Sequence, residues 1–139
     1  MLKNNSLLKN AGYINGQWIG ADSDNRFDVK NAYSQELIST LPQMGKEETN
    51  SAIEAANNAW PNWRNKTAKE RAAILRKWFN LILENQEDLA ILMTLEQGKP
   101  LAEARGEVAY GSSFIEWFAE EGKRTYGDVI PTPSTTAAS

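Results

Sequence analysis

The 139-residue chain contains neither cysteine nor histidine. Without cysteine, its residues form no disulfide, supply no thiol nucleophile and offer no thiolate to a zinc ion. Without histidine, they lack the side chain that most often transfers protons near neutral pH. The composition therefore argues against a self-contained catalytic centre of the commonest kinds, and we expect neither a catalytic residue nor a metal site within these residues.

The chain also lacks a long apolar run and an excess of positive charge. No stretch approaches the roughly 18 apolar residues that indicate a membrane span, and residues 1–5 contain no apolar signal region. Fifteen Lys and Arg against eighteen Asp and Glu leave a net charge of −3, whereas binding to phosphates requires clustered cations. We therefore expect no membrane or nucleic-acid partner and a cytoplasmic location.

What is present is typical of a folded domain with a core. Hydrophobic residues make up 41% of the chain and charged residues 24%, and 5 Trp, 4 Tyr and 4 Phe are available for burial. The length predicts a single domain.

Short strands are predicted in the first third of the chain. Asn15-Gly16 stands between apolar residues, and this pair favours the positive φ angles of a type I′ hairpin turn. Further strands are predicted at residues 27–29 and 37–41, the second ending at Pro42.

Helices are predicted after Gly45. In the first of them Trp60 and Trp63 continue an apolar stripe, and Pro61 is expected to end or kink the helix because it lacks an N–H. A capping box at residues 67–70 begins a second helix, and Asn85 interrupts its apolar pattern. Gly98 predicts the end of the next one.

The last predicted helix begins near Pro100 and extends to about Gly122. It carries two apolar stripes, which predict a helix packed on more than one side. One stripe is formed by Leu101, Ala104, Val108, Ile115 and Phe118, and the other by Tyr110, Phe114 and Trp117. The sequence thus predicts an α+β chain in which β-hairpins precede three or four helices. Residues 132–139, which read TPSTTAAS, predict a disordered tail or a truncated linker.

Charges and aromatic residues each allow a functional and a structural interpretation. Residues 64–77 carry six basic side chains against one acidic, and residues 84–121 carry nine acidic against two basic. A docking face is one explanation, and solvated helix faces with i,i+4 ion pairs are the favoured one. Four glutamates on the last helix likewise allow two interpretations, an acid–base pair or a solvated helix face, and the solvated face is favoured. These glutamates are Glu107, Glu116, Glu120 and Glu121.

The aromatic side chains on predicted helix faces present the same choice. Trp60, Trp63 and Trp78 suit the stacking of bases or sugars, but core packing is the favoured interpretation. Tyr110 and Phe114 are four residues apart, so they either line a pocket together or pack in a core.

Several runs resemble the aldehyde dehydrogenase family. The run MTLEQGKPLAEA at residues 93–104 is similar to a signature stretch of that family. The run FIEWFAEEGKR at 114–124, followed by YGD at 126–128, narrows the resemblance to NAD(P)-dependent succinate-semialdehyde dehydrogenases, with the glutarate-semialdehyde enzymes as close relatives. YINGQW at 13–18 and TAKER at 67–71 fit in the same order, so the resemblance covers residues 11–131 or nearly the whole chain.

The resemblance implies that residues 1–131 are the N-terminal part of a cofactor-binding domain. The family's nucleophilic Cys, general-base Glu, oxyanion-stabilising Asn and glycine-rich cofactor segment would lie outside this chain. The complete homo-oligomeric enzyme would oxidise succinate semialdehyde to succinate with NAD or NADP. By itself the chain is expected to bind no cofactor and to be inactive, with the missing C-terminal domains as its partner.

The resemblance also implies a position for two aromatic residues. Tyr110 falls at a place that lines the family's aldehyde tunnel, and Phe114 follows one turn later. The alternative to an enzyme fragment is a stand-alone helical interaction module derived from the same family. An exposed apolar face on the last helix favours the fragment, whereas polar replacements there would favour the module.

Overall fold

The computed structural model describes residues 2–128, in which two small antiparallel sheets precede four helices. The α+β class is therefore confirmed, whereas the predicted tail at 132–139 lies outside the described residues. In chain order the elements are a 3-10 turn Asn5–Leu7, β1 Gly12–Ile14, β2 Gln17–Ile19, β3 Arg26–Lys30, β4 Leu37–Pro42, α1 Lys46–Arg64, α2 Ala68–Glu84, α3 Gln86–Gln97 and α4 Leu101–Glu121.

The first hairpin has the turn that its sequence predicts. Asn15 and Gly16 have φ angles of 51° and 78°, as a type I′ turn requires at both central positions. Tyr13 lies opposite Trp18 across β1 and β2, with ring centroids 5.0 Å apart. This cross-strand aromatic pair stabilises a ladder of only three residues per strand.

The second hairpin is attached to the helices through its loop. Strand β3 pairs with β4 from Arg26 opposite Pro42 to Lys30 opposite Leu37, with an irregularity after Val29. In the loop, the N–H of Ala32 donates to the carbonyl of Leu95 on α3 over 3.1 Å.

Helix α1 is held at its start by a buried carboxylate and continues past its proline. Glu48 accepts hydrogen bonds of 2.7 Å from the N–H groups of Gly45 and Asp22, which joins the loop after β2 to the first turn. Of the two predicted effects of Pro61, an end or a kink, the end is wrong, since the helix continues to Arg64. Pro61 lies in the last turn of the helix and is exposed to water. Because proline has no N–H, the carbonyl of Asn57 loses its helical partner, and Asn57 is exposed to water as well.

The predicted beginnings and ends of the later helices are confirmed. At the start of α2, the Thr67 hydroxyl accepts from the Glu70 N–H over 3.2 Å, and the Glu70 carboxylate accepts from the Thr67 N–H over 2.8 Å. Asn85 separates α2 from α3. Gly98 ends α3 in the left-handed conformation, with a φ of 75°.

The core lies where α4 packs against α2 and α3, and its buried side chains are small. Ala90 on α3 meets Ala104 and Val108 on α4, and larger half-buried residues surround them. Ser112 and Ala119 continue the buried edge of α4. Small side chains allow close approach of the helix backbones, but they interlock shallowly.

Two tryptophans predicted to be core residues are exposed. More than half of Trp60 on α1 and of Trp78 on α2 is accessible to solvent, whereas Trp63 is half-buried. The core interpretation of Trp60 and Trp78 is wrong within the described residues, because no other element of that part of the chain covers those helix faces.

Candidate functional site

The predicted site residues lie on one exposed face of α4. Side chains there recur at i, i+4, i+7 and i+8, which places them on a single stripe turned away from the buried edge. We call this stripe the aromatic face, and it consists of Tyr110, Phe114, Trp117 and Phe118. Their exposed fractions are 67%, 47%, 61% and 61%. The expectation that both apolar stripes of α4 are covered is therefore wrong for the described part of the chain. Phe118, which was predicted on the stripe that begins at Leu101, is exposed together with the residues of the other stripe.

Tyr110 and Phe114 contact each other, as their spacing predicts. Their ring centroids are 4.9 Å apart and their planes meet at 80°. This edge-to-face arrangement is the one that the aromatic quadrupole favours. The two rings thus form a preorganised apolar surface on the outside of α4.

An open groove of about 620 Å³ lies along the C-terminal half of α4. Phe114, Trp117 and Phe118 contribute its aromatic walls, and Ser113 and charged residues up to Arg124 line the rest. Tyr110 is not among its lining residues. Only one of the two predicted site residues therefore lines this groove, and Tyr110 lies one turn before it.

An ion-pair network joins the acidic side of the groove to α2. The Arg76 guanidinium donates to Glu116 over 2.5 Å and to Glu120 over 2.8 Å. Hydrogen bonds from Lys123 and then from Arg76 hold the pKa of Glu120 below its usual value, and the same carboxylates raise the pKa of Arg76. Arg76 also lies over the Phe79 ring, 5.3 Å from its centroid.

The glutamates on α4 that were considered for an acid–base pair each form an ion pair with a lysine or an arginine. Besides the contacts of Arg76, Glu120 pairs with Lys123, Glu121 with Arg124, and Glu107 with Lys99. Carboxylates that are each paired with a cation do not provide the contrasting environments of an acid–base pair. The favoured interpretation as a charged face agrees with this geometry. The expected i,i+4 spacing is not found among these ion pairs. Arg76 pairs from α2 to α4, Lys123 and Arg124 each lie three residues from their partners, and Lys99 lies eight residues from Glu107.

A second ion pair fixes the other end of α4. Arg105 donates two hydrogen bonds of 2.7 Å to the carboxylate of Glu87 on α3, and the Gln86 amide donates to the Arg105 carbonyl over 3.0 Å. The two cross-helix contacts, at Arg105 and at Arg76, were not predicted. No local sequence signal identifies them, because the partners are 18 and 40 residues apart.

Asp88 is a buried carboxylate with a structural task. It lies in the first turn of α3 and accepts hydrogen bonds from the N–H groups of Lys3 (2.9 Å) and Asn4 (2.7 Å). The hydrogen bond from Lys3 is the main reason why the pKa of Asp88 lies below its ordinary value, and burial opposes the shift. Asp88 therefore anchors the start of the chain to the helical part.

Residues 2–128 offer neither a cluster of metal ligands nor a membrane-spanning helix. They contain no group of three or more Asp or Glu side chains that could hold a metal ion. None of the helices in this part of the chain is long and apolar enough to cross a membrane. The G-x-G-x-x-G pattern of a dinucleotide-binding turn does not occur in the sequence.

Comparison with known proteins identifies the family. The family model described as "Aldehyde dehydrogenase family" matches residues 18–139. Over 130 residues, the chain is 58% identical to an NADP(+) succinate-semialdehyde dehydrogenase of Escherichia coli and 60% identical to a glutarate-semialdehyde dehydrogenase of Pseudomonas putida. Each alignment covers 94% of this chain and 27% of the relative.

Solved structures agree with the sequence relatives. A crystal structure of succinate-semialdehyde dehydrogenase from Burkholderia pseudomallei matches with a TM-score of 0.92 and 59% identity, covering 96% of this chain and 28% of that one. The described fold matches the N-terminal part of such enzymes. The chain thus spans about 27% of the length of the curated relatives it matches, and it belongs to the aldehyde dehydrogenase family.

Proposed function

We propose that the chain is the N-terminal part of a dehydrogenase that oxidises succinate semialdehyde, or the one-carbon-longer glutarate semialdehyde, to the corresponding dicarboxylate. The observation that carries the proposal is identity of 58–60% along nearly the whole chain to enzymes named for these two substrates. The substrate class is thus a short aliphatic aldehyde with a terminal carboxylate.

The cofactor of the complete enzyme would be NAD or NADP. One relative is named for NADP(+). The reaction consumes one water, transfers one hydride from the aldehyde carbon to the nicotinamide and releases two protons. The thiol nucleophile would come from residues outside this chain, which contains no cysteine. By itself the chain would be inactive and would bind no cofactor.

The contribution of this chain to the site would be an apolar border of the aldehyde path. The Tyr110–Phe114 pair presents two rings fixed edge to face on the outside of α4, and Phe114 also lines the adjoining groove. Aromatic walls position an aliphatic aldehyde and exclude water without reacting with it. In this proposal the pair influences which aldehyde enters.

The aromatic face would be covered by the rest of the enzyme. Its four side chains expose on the order of 450 Å² if each presents roughly 200 Å² when free. The largest apolar patch on a typical monomer is roughly 300–600 Å² and is often functional, so a patch of this size is consistent with an interaction surface. The lack of polar residues in the stripe supports the enzyme fragment over the stand-alone interaction module, since a module that works alone needs a soluble outer face.

The experiment separates these alternatives by adding the missing part. A relative whose matching first quarter is deleted is mixed with this chain, and succinate semialdehyde oxidation is followed by the absorbance of reduced NADP. We expect no turnover by either piece alone and measurable turnover by the mixture. Trp117→Glu should abolish the gain, whereas the matched control Tyr33→Glu, at a 95% exposed turn residue, should preserve it.

A covalent chimaera provides the second arm. In it this chain replaces the matching first quarter of the E. coli relative. An inactive but folded chimaera would contradict the proposed function, as would turnover by the purified 139-residue chain alone.

A further inference from the structure

The Arg76 guanidinium forms a fork of two hydrogen bonds from α2 to α4, and this fork reaches the acidic edge of the groove. One nitrogen donates to Glu116 and the other to Glu120. These carboxylates are one helical turn apart, so the guanidinium spans a full turn of α4. Such a fork restrains both the rotation of α4 about its axis and its sliding along α2.

The packing beneath the fork leaves that rotation weakly determined. The buried edge of α4 consists of Ala104, Val108, Ser112 and Ala119. Side chains this small form shallow ridges, so this seam alone resists rotation of α4 about its axis less than interlocked large side chains would. Exposed ion pairs contribute little to stability. Arg76 contacts two carboxylates beside a row of small packed side chains. We therefore expect these ion pairs to affect the orientation of α4 more than the free energy of unfolding.

A small rotation would displace the aromatic face considerably. Side-chain rings lie roughly 6 Å from a helix axis, so a rotation of about 20° moves them by about 2 Å. A misplacement of about 1 Å at a reacting centre already costs up to roughly 100-fold in rate. Tyr110 and Phe114 lie on α4 between the Arg76 fork and the Arg105–Glu87 ion pair at its other end, so a rotation of this part of the helix moves both rings.

We propose that Arg76 is a positioning residue for the aldehyde path: its fork to Glu116 and Glu120 sets the rotation of α4 and thereby the direction in which Phe114 faces. This inference rests on the proposed function of Tyr110 and Phe114. Arg76 is not among the residues that line the groove, so it acts through the helix, without contact to the substrate.

The experiment uses the chimaera described above and compares a short with a bulky aldehyde, acetaldehyde against benzaldehyde. The variants are Arg76→Met, Arg76→Lys, Glu116→Gln and Phe114→Ala. Glu107→Gln is the matched control, because it removes an ion pair of α4 that does not reach α2. Melting temperature is measured for each, so that loss of folding is separated from loss of positioning.

We expect Arg76→Met to change the ratio of kcat/KM between the two aldehydes at least fivefold, mainly through KM, with a melting temperature close to that of the control. Arg76→Lys keeps the charge without the fork and should show an intermediate change. In the double variant Arg76→Met with Phe114→Ala, the change should be smaller than the sum of the two single changes, because part of the effect of Arg76 passes through Phe114.

Two results distinguish the failure of this inference from that of the proposed function. If Phe114→Ala changes the ratio but Arg76→Met, Arg76→Lys and Glu116→Gln leave it within twofold of the unmodified chimaera, the positioning role is overturned and the proposed function stands. If Phe114→Ala leaves the ratio unchanged, the proposed function of the aromatic pair fails, and the inference fails with it.

Discussion

Replacing glycine by alanine should have opposite effects at two places in this chain. Gly106 and Gly111 lie inside α4, and the space where a Cβ would stand has no heavy atom of another element within 4 Å. Alanine is favoured over glycine in a helix by about 0.8–1.0 kcal/mol. The double variant Gly106→Ala/Gly111→Ala should therefore gain about 2 kcal/mol of unfolding free energy.

Gly98 provides the matched control, because the same chemical change meets a different backbone. Its φ is 75°, and an added Cβ would lie 3.3 Å from the Ala32 Cβ. The left-handed conformation costs a residue with a Cβ about 1–2 kcal/mol. Gly98→Ala should therefore lower the unfolding free energy by about that amount or slightly more.

Urea denaturation followed by circular dichroism measures both effects in the isolated chain. With a slope of about 2 kcal/mol per M, the α4 double variant should raise the midpoint by about 1 M and Gly98→Ala should lower it by about 0.5–1 M. The reasoning is refuted if the α4 variant is no more stable than the original chain or if the two changes have the same sign. The same α4 substitutions in the active chimaera should lower turnover if the covering part of the enzyme approaches α4 closely at these glycines.

Three further predictions concern a cap, a buried carboxylate and the core. Thr67→Ala removes half of the capping box of α2 and should cost about 1 kcal/mol in the same urea experiment, whereas an unchanged midpoint would show that the cap contributes nothing. The pKa of Asp88 is lower in the folded chain than its ordinary value of 3.8, so its contribution to stability is complete above that value and is lost as the pH falls through the lower, folded-state pKa. The protection factor of the Lys3 amide, which is its exchange rate compared with the intrinsic rate at the same pH, should fall in this acidic range but not near neutrality, and Asp88→Asn should lower it near neutrality; pH-independent protection in the original chain would contradict this. Val108→Ala should cost about 2 kcal/mol by removing two buried methyl groups and leaving a cavity, and a loss below about 0.5 kcal/mol would place Val108 outside the core.

Part of the candidate site was predictable because its geometry is local. Residues four apart on a helix meet on one face, so the Tyr110–Phe114 contact was predictable from spacing alone. The resemblance to a family added the proposed role of the pair, which the kinetic experiments test. The contact of Arg76 with Glu116 had no such signal, since it depends on how two helices cross.

The sequence by itself determined the features that a few neighbouring residues satisfy. Asn15-Gly16 adopts the positive φ angles of its hairpin turn, Thr67 and Glu70 exchange hydrogen bonds at the start of α2, and Gly98 ends α3. Each depends on backbone geometry and donors within four residues, so tertiary packing has little to change.

Only the tertiary structure decided which helix faces are covered and which charges meet. Trp60 and Trp78 lie on apolar stripes like core residues, yet they are exposed, because a stripe predicts a partner without showing that this chain contains it. Asp88 binds the backbone of Lys3, 85 residues away. Burial and ion pairing of this kind depend on the crossing and rotation of packed helices, which arise from all their contacts together and from no single segment.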